Sequence, residues 1–120
     1  METVIVCEDY IHINNFYCMA IKKMKTDYAI LSTDSTEKTL EQLAGSVDHL
    51  KLAIIDGKLN GTSMGWDLAE KLREMGYQGP IVYIGTTEVP ADKKQFFTEF
   101  DPKGPNILGQ AINIAEKYLK

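Results

Sequence analysis

Three carboxylates stand directly after two very apolar runs. Glu8 and Asp9 follow residues 3–7, and Asp56 follows residues 52–55. Thr86 and Thr87 come just after a third such run, and Lys103 follows the short mixed stretch 97–101. Carboxylates brought together repel: two at ~4 Å cost roughly 4 kcal/mol at an effective dielectric of about 20. A hard divalent cation removes that repulsion. Mg²⁺ takes oxygen ligands, keeps several waters and is often shared with phosphate. Carboxylates, a metal, an ammonium and a hydroxyl suit phosphoryl transfer to a carboxylate, in which metal and lysine neutralise charge on the transferring oxygens. All of this requires a fold that gathers these residues.

The pattern along the chain supplies one. Residues 3–7, 28–31, 52–55 and 81–84 are short apolar runs without polar alternation, and a fifth strand is predicted within 97–101. Between them lie amphipathic stretches. Ile13, Phe16, Tyr17, Ala20, Ile21 and Met24 repeat at helical spacing. Leu40, Leu43, Ala44 and Val47 form the expected inner face of a second helix, capped by Asp34 or Ser35, with Glu37 placed as in a capping box. Leu68, Ala69 and Leu72 mark a third helix. Pro90 opens a short or irregular fourth one, and Leu108, Ala111, Ile112, Ala115 and Leu119 a last. Continuous apolar strands, each followed by a helix, predict an α/β fold: a doubly wound five-stranded parallel sheet with both faces covered. In strand order 2-1-3-4-5, ligands bind beyond the C-terminal ends of the strands, where the first and third meet. Glu8, Asp9 and Asp56 fall at that point.

Composition narrows the class. The 120 residues suit one domain, 1–120, large enough to fold without disulfides or metals. With 44% hydrophobic and 25% charged residues, the composition is that of a globular chain and not of a disordered or fibrous one. A net charge of -4 argues against nucleic-acid binding, and Lys22, Lys23, Lys25, Lys93 and Lys94 read as solvated helix faces. Cys7 and Cys18 form no CxxC, and with His12 and His49 they make no zinc pattern. No signal peptide, lipidation motif or membrane span is evident, so a cytoplasmic protein with no membrane partner is expected.

At these residues the chain resembles the receiver domain of two-component response regulators, over nearly its full length. The resemblance rests on Glu8 and Asp9, on Asp56 with the loop through Gly61, on the hydroxyls after the fourth strand, and on Lys103. It implies a flavodoxin-like receiver fold and no enzyme activity of its own. It implies that Asp56 takes phosphate from a sensor histidine kinase or phosphotransfer protein. It further implies that Glu8, Asp9, Asp56 and the Lys58 backbone carbonyl hold Mg²⁺, that Lys103 contacts the phosphate, and that a downstream protein reads the result. A threonine hydroxyl would turn to the phosphoryl group, and Phe100 would move inward.

The match has departures. Asn60 stands where the family usually has proline, and Gly65 comes one residue late. Lys103 is followed by Gly104 before Pro105. Counting from Pro80 puts Gly85 at the hydroxyl position; a one-residue slip puts Thr86 there, and Thr86 is preferred. These departures keep a second reading open, a degenerate receiver that docks partners without being phosphorylated. A metal-dependent phosphatase with an aspartyl nucleophile would want an acid two residues after Asp56, where Lys58 stands. No GxxxxGK[ST] or GxGxxG occurs.

Overall fold

The computed structural model describes residues 2–24 and 27–119; Lys25 of the first basic run lies outside them. The elements in order are β1 (Thr3–Cys7), α1 (Ile11–Met24), β2 (Ala29–Thr33), α2 (Thr36–Leu43), β3 (Leu50–Ile55), α3 (Gly65–Glu74), β4 (Ile81–Tyr83), a 3₁₀ helix (Ala91–Phe96), β5 (Glu99–Phe100) and α4 (Ile107–Leu119). The five strands form one parallel sheet in the order β2-β1-β3-β4-β5. Cys7 stands in register with Thr33 on one side and Ile55 on the other, so β1, β2 and β3 end together.

Alternate strand residues feed two separate cores, the period-two geometry of a sheet covered on both faces. Val4, Val6, Leu52, Ile54, Val82 and Ile84 pack on one face under α1 and α4. Ile5, Cys7, Ala53, Ile55, Ile81 and Tyr83 pack on the other under α3, with Leu40 and Leu43 of α2 and Phe97 nearby. β1, β3 and β4 are buried at their centres on both faces and carry no polar face, whereas the edge strands β2 and β5 are partly exposed.

Three expected helix faces each differ from expectation at one or two positions. Phe16 is exposed, and Asn14 takes the buried position beside Tyr17, Ala20 and Ile21. Ala44 is exposed in a left-handed conformation (φ 53°) that ends α2, so it belongs to no helix face. In α4, Ile114 rather than Leu108 completes the buried stripe with Ala111, Ala115 and Leu119. The capping box also resolves differently. Ser35 caps α2 by accepting from the Lys38 amide at 3.1 Å, and Glu37 turns away to accept from Thr62 Oγ1 at 3.1 Å. The inner face of α2 begins with two threonines, Thr36 and Thr39. Short hydroxyl side chains can be buried there because they bond locally; Thr39 Oγ1 donates to the Ser35 carbonyl at 2.8 Å.

The segment between β4 and β5 is the short, irregular one expected. It forms only a 3₁₀ helix, flanked by buried Val89 and Phe97. Arg73 of α3 donates to the Phe96 carbonyl at 3.1 Å, and to the carbonyls of Tyr77 and Gly79 ahead of β4 at 3.0 and 2.8 Å. Lys93 pairs with Glu70 of α3 at 2.6 Å. Among the described residues, no helix is long and apolar enough to cross a membrane.

Candidate functional site at the ends of β1 and β3

Glu8 ends β1 and is the most buried charged group of the site, with 1% of its surface exposed. Its Oε2 accepts from the Tyr10 amide at 3.1 Å, and its Oε1 accepts from Lys103 Nζ at 2.6 Å. Asp56 ends β3 and is also buried; its Oδ1 accepts from the Gly57 amide at 2.8 Å and lies 3.2 Å from Lys103 Nζ. Asp9 is exposed beside them. Oxygen atoms of Glu8, Asp9 and Asp56 all lie within 4.8 Å of one another. The fold thus joins all three carboxylates and Lys103, which comes from the loop after β5. The Lys103 backbone is fixed too, its amide donating to the Ile84 carbonyl at 3.1 Å.

Burial pushes the Glu8 carboxyl up to about 7, against the lowering effect of Lys103 and with the charge of Asp56 adding to the rise. Burial alone would lower the Lys103 ammonium, but the hydrogen bond to Glu8 and the charges of Asp56 and Glu8 outweigh it and hold its pKa above the ordinary lysine value. Two buried carboxyl groups therefore share one ammonium. The remaining acceptors are all hard oxygens, the donor type that Mg²⁺ selects, and the acidic group fits a cation of that kind.

The loop after β3 is anchored away from the site. Gly65 donates its amide to the Gly57 carbonyl at 2.8 Å and opens α3. A Cβ at residue 65 would fall inside the Asp56 carbonyl, so only glycine lets α3 start this close to β3. Asn60 bonds Asp34 twice, by its amide to the carbonyl at 2.9 Å and by Nδ2 to Oδ2 at 3.0 Å. Lys58 stands between these two anchors with an exposed side chain, two residues from Asp56. Trp66, in the first turn of α3, packs half-buried against the core on that side.

Gly85 and Thr86 separate clearly. β4 runs in unbroken register with β3, Ile55 opposite Tyr83, and the Ile84 amide donates to the Ile55 carbonyl at 3.0 Å. Gly85 is the next residue and is buried; a Cβ there would come within 2.7 Å of the Gly57 nitrogen. Thr86 is exposed and lines a cleft of about 190 Å³ with Thr87, Glu88 and Phe100. Phe100 is 45% exposed and meets the rings of Tyr83 and Phe97 at 5.9 and 5.5 Å.

One residue beneath the site went unnoticed in the sequence, Asn14: its Nδ2 lies within 3.1–3.4 Å of the carbonyls of Val6, Glu8 and Thr33, and its Oδ1 accepts from Ser32 Oγ at 2.6 Å. It holds the ends of β1 and β2 in place under Glu8. A polar residue at the core spacing 14, 17, 21 was the available signal. Asn14→Ala leaves these carbonyls without a donor and is expected to cost about 2 kcal/mol, measured as a lower urea midpoint with unchanged slope.

No protein-family model matches the sequence, and no curated protein matches it. Solved structures do. A CheY-like response regulator receiver domain from Methanospirillum hungatei JF-1 is similar over 98% of this chain and 94% of its own, with TM-score 0.74 and 15% identity. The response regulator TrrA from Thermotoga maritima, in complex with Mg²⁺ and BeF, is similar over 97% and 98%, with TM-score 0.71 and 16% identity. The phosphorylated cyanobacterial phytochrome response regulator RcpA is similar over 99% and 94%, with TM-score 0.79 and 14% identity. The chain has the flavodoxin-like fold of these receiver domains.

Proposed function

We propose that this chain is a phospho-accepting receiver of a two-component signalling system, a signalling module of the cytoplasm rather than an enzyme. One observation carries the reading: Lys103 lies between buried Glu8 and Asp56 at the edge where β1 and β3 end, with Asp9 alongside. A buried acidic group with one shared cation suits a site that exchanges a metal and a phosphoryl group. The TrrA complex with Mg²⁺ and BeF and the phosphorylated RcpA, both alike in fold, support it.

Asp56 is the acceptor in this reading. One of its carboxylate oxygens attacks the phosphorus of a phosphohistidine on a sensor histidine kinase or phosphotransfer protein. The new P–O bond forms as the P–N bond breaks, and the electron pair stays on the imidazole nitrogen. Glu8, Asp9, Asp56 and the Lys58 carbonyl would hold Mg²⁺, which when bound neutralises charge on the phosphoryl oxygens. Lys103 is in place to meet the same oxygens, and Gly57 keeps Asp56 oriented through its amide. The hydroxyl donor is the one part for which the geometry favours a residue other than Thr86. The output is a change of shape read by a downstream protein, a population shift that follows from new partners for the group on Asp56.

Incubation with acetyl phosphate and Mg²⁺ should give a phosphate adduct in the intact mass spectrum, absent when the metal is chelated. No adduct, together with no change of Trp66 fluorescence on adding beryllofluoride and Mg²⁺, would sink this reading.

A further inference from the structure

The Tyr83 hydroxyl occupies the space between the two backbone segments that flank Asp56. Gly57 follows Asp56, and a Cβ on it would overlap Tyr83 Oη. Gly85 follows β4, and a Cβ on it would come within 2.5 Å of the same oxygen. Tyr83 is otherwise a core residue, 3% exposed, with its ring edge-on to Phe97 at 5.0 Å. Its hydroxyl donates to the Thr87 carbonyl at 2.7 Å. A side chain at 85 and a tyrosine at 83 therefore exclude each other, and this chain has filled the space from 83.

We infer that the Tyr83 hydroxyl, wedged between Gly57 and Gly85, is the switch donor that reads the group on Asp56. The inference rests on Asp56 being the phosphoacceptor. A phosphoryl group adds oxygens beside the Gly57 amide, next to the Tyr83 hydroxyl that reaches that wall from the core. The Tyr83 O–H passes from the Thr87 carbonyl to a phosphoryl oxygen. Residues 86–89 then lose the bond that ties them down. The ring is already held by Phe97 and Phe100, so its movement reaches the cleft lined by Thr86, Glu88 and Phe100. The charge of Asp56 already bears on this hydroxyl, adding to the burial that raises it to about 12.

Tyr83→Phe removes only the hydroxyl and keeps the ring. Amide signals of residues 85–94 would be followed in parent and variant as beryllofluoride and Mg²⁺ are added, beside adduct formation with acetyl phosphate. The expected result is retained adduct formation, with the response of residues 86–89 lost in the variant. An equal response in Tyr83→Phe overturns the inference and leaves the function standing. No adduct in the parent protein, together with no Trp66 response to beryllofluoride and Mg²⁺, overturns the function and the inference with it. A second readout needs no variant: the Tyr83 Cζ resonance of the parent is expected to shift on adding beryllofluoride with Mg²⁺. A stationary resonance, with Trp66 responding, overturns the inference.

Discussion

Asp56→Asn is expected to abolish the phosphate adduct completely and to leave the fold intact. The asparagine is isosteric, and its Oδ1 can still accept from the Gly57 amide, the bond that positions the wild-type side chain. It has no anionic oxygen to attack phosphorus. It also takes one of three charges from the acidic group, so Mg²⁺ binding should weaken about tenfold or more. Intact mass with acetyl phosphate and a Mg²⁺ titration read the two effects separately. The same variant decides between the proposed function and a phosphorylation-independent docking module. The observation that favours docking is Gly85, which carries no hydroxyl of its own at the position where β4 gives way to its loop. A partner whose affinity is identical for Asp56→Asn and for the phosphorylated parent would establish docking alone.

The strands that build the site were legible because both faces of the sheet are covered. Residues 3–7 and 52–55 are buried throughout or nearly so, and such runs show in sequence as unbroken apolar stretches. Once their order was read, the meeting of Glu8, Asp9 and Asp56 followed from topology. Lys103 followed too, since it lies just past the fifth strand. The errors came where helical period was counted on hydrophobicity alone. Asn14 is buried because it serves three carbonyls, and Phe16 is exposed although apolar, so the inner face of α1 differs from its apolar pattern at these two positions. β5 has only two residues and the 3₁₀ helix before it buries none of its own, which left little period to detect. Tyr83 read as an ordinary strand residue. Its hydroxyl gains meaning only from two glycines that are distant or neutral in sequence and that the fold brings against it.

Lys103→Met is expected to destabilise the metal-free protein by about 3–5 kcal/mol, the usual cost of removing one partner from a buried ion pair. Glu8 is the reason. Its side chain is fully buried, and Lys103 holds it at 2.6 Å while also meeting Asp56 at 3.2 Å. Methionine keeps most of the packing volume but removes the cation, so Glu8, already raised to about 7 by burial, must either take up a proton or stand as an uncompensated buried charge beside Asp56. A ligand that binds only the folded state restores stability by mass action, about 2.7 kcal/mol at a hundredfold excess over its dissociation constant. If Glu8, Asp9 and Asp56 hold Mg²⁺, the variant should regain much of its lost stability when Mg²⁺ is added. Its urea midpoint should also depend on Mg²⁺ more steeply than that of the parent, because metal and ammonium neutralise the same oxygens. Urea unfolding at several Mg²⁺ concentrations makes the comparison, with Ca²⁺ as a second hard cation. A midpoint in Lys103→Met that ignores both cations would mean that the three carboxylates hold no metal, and that Lys103 serves the fold alone.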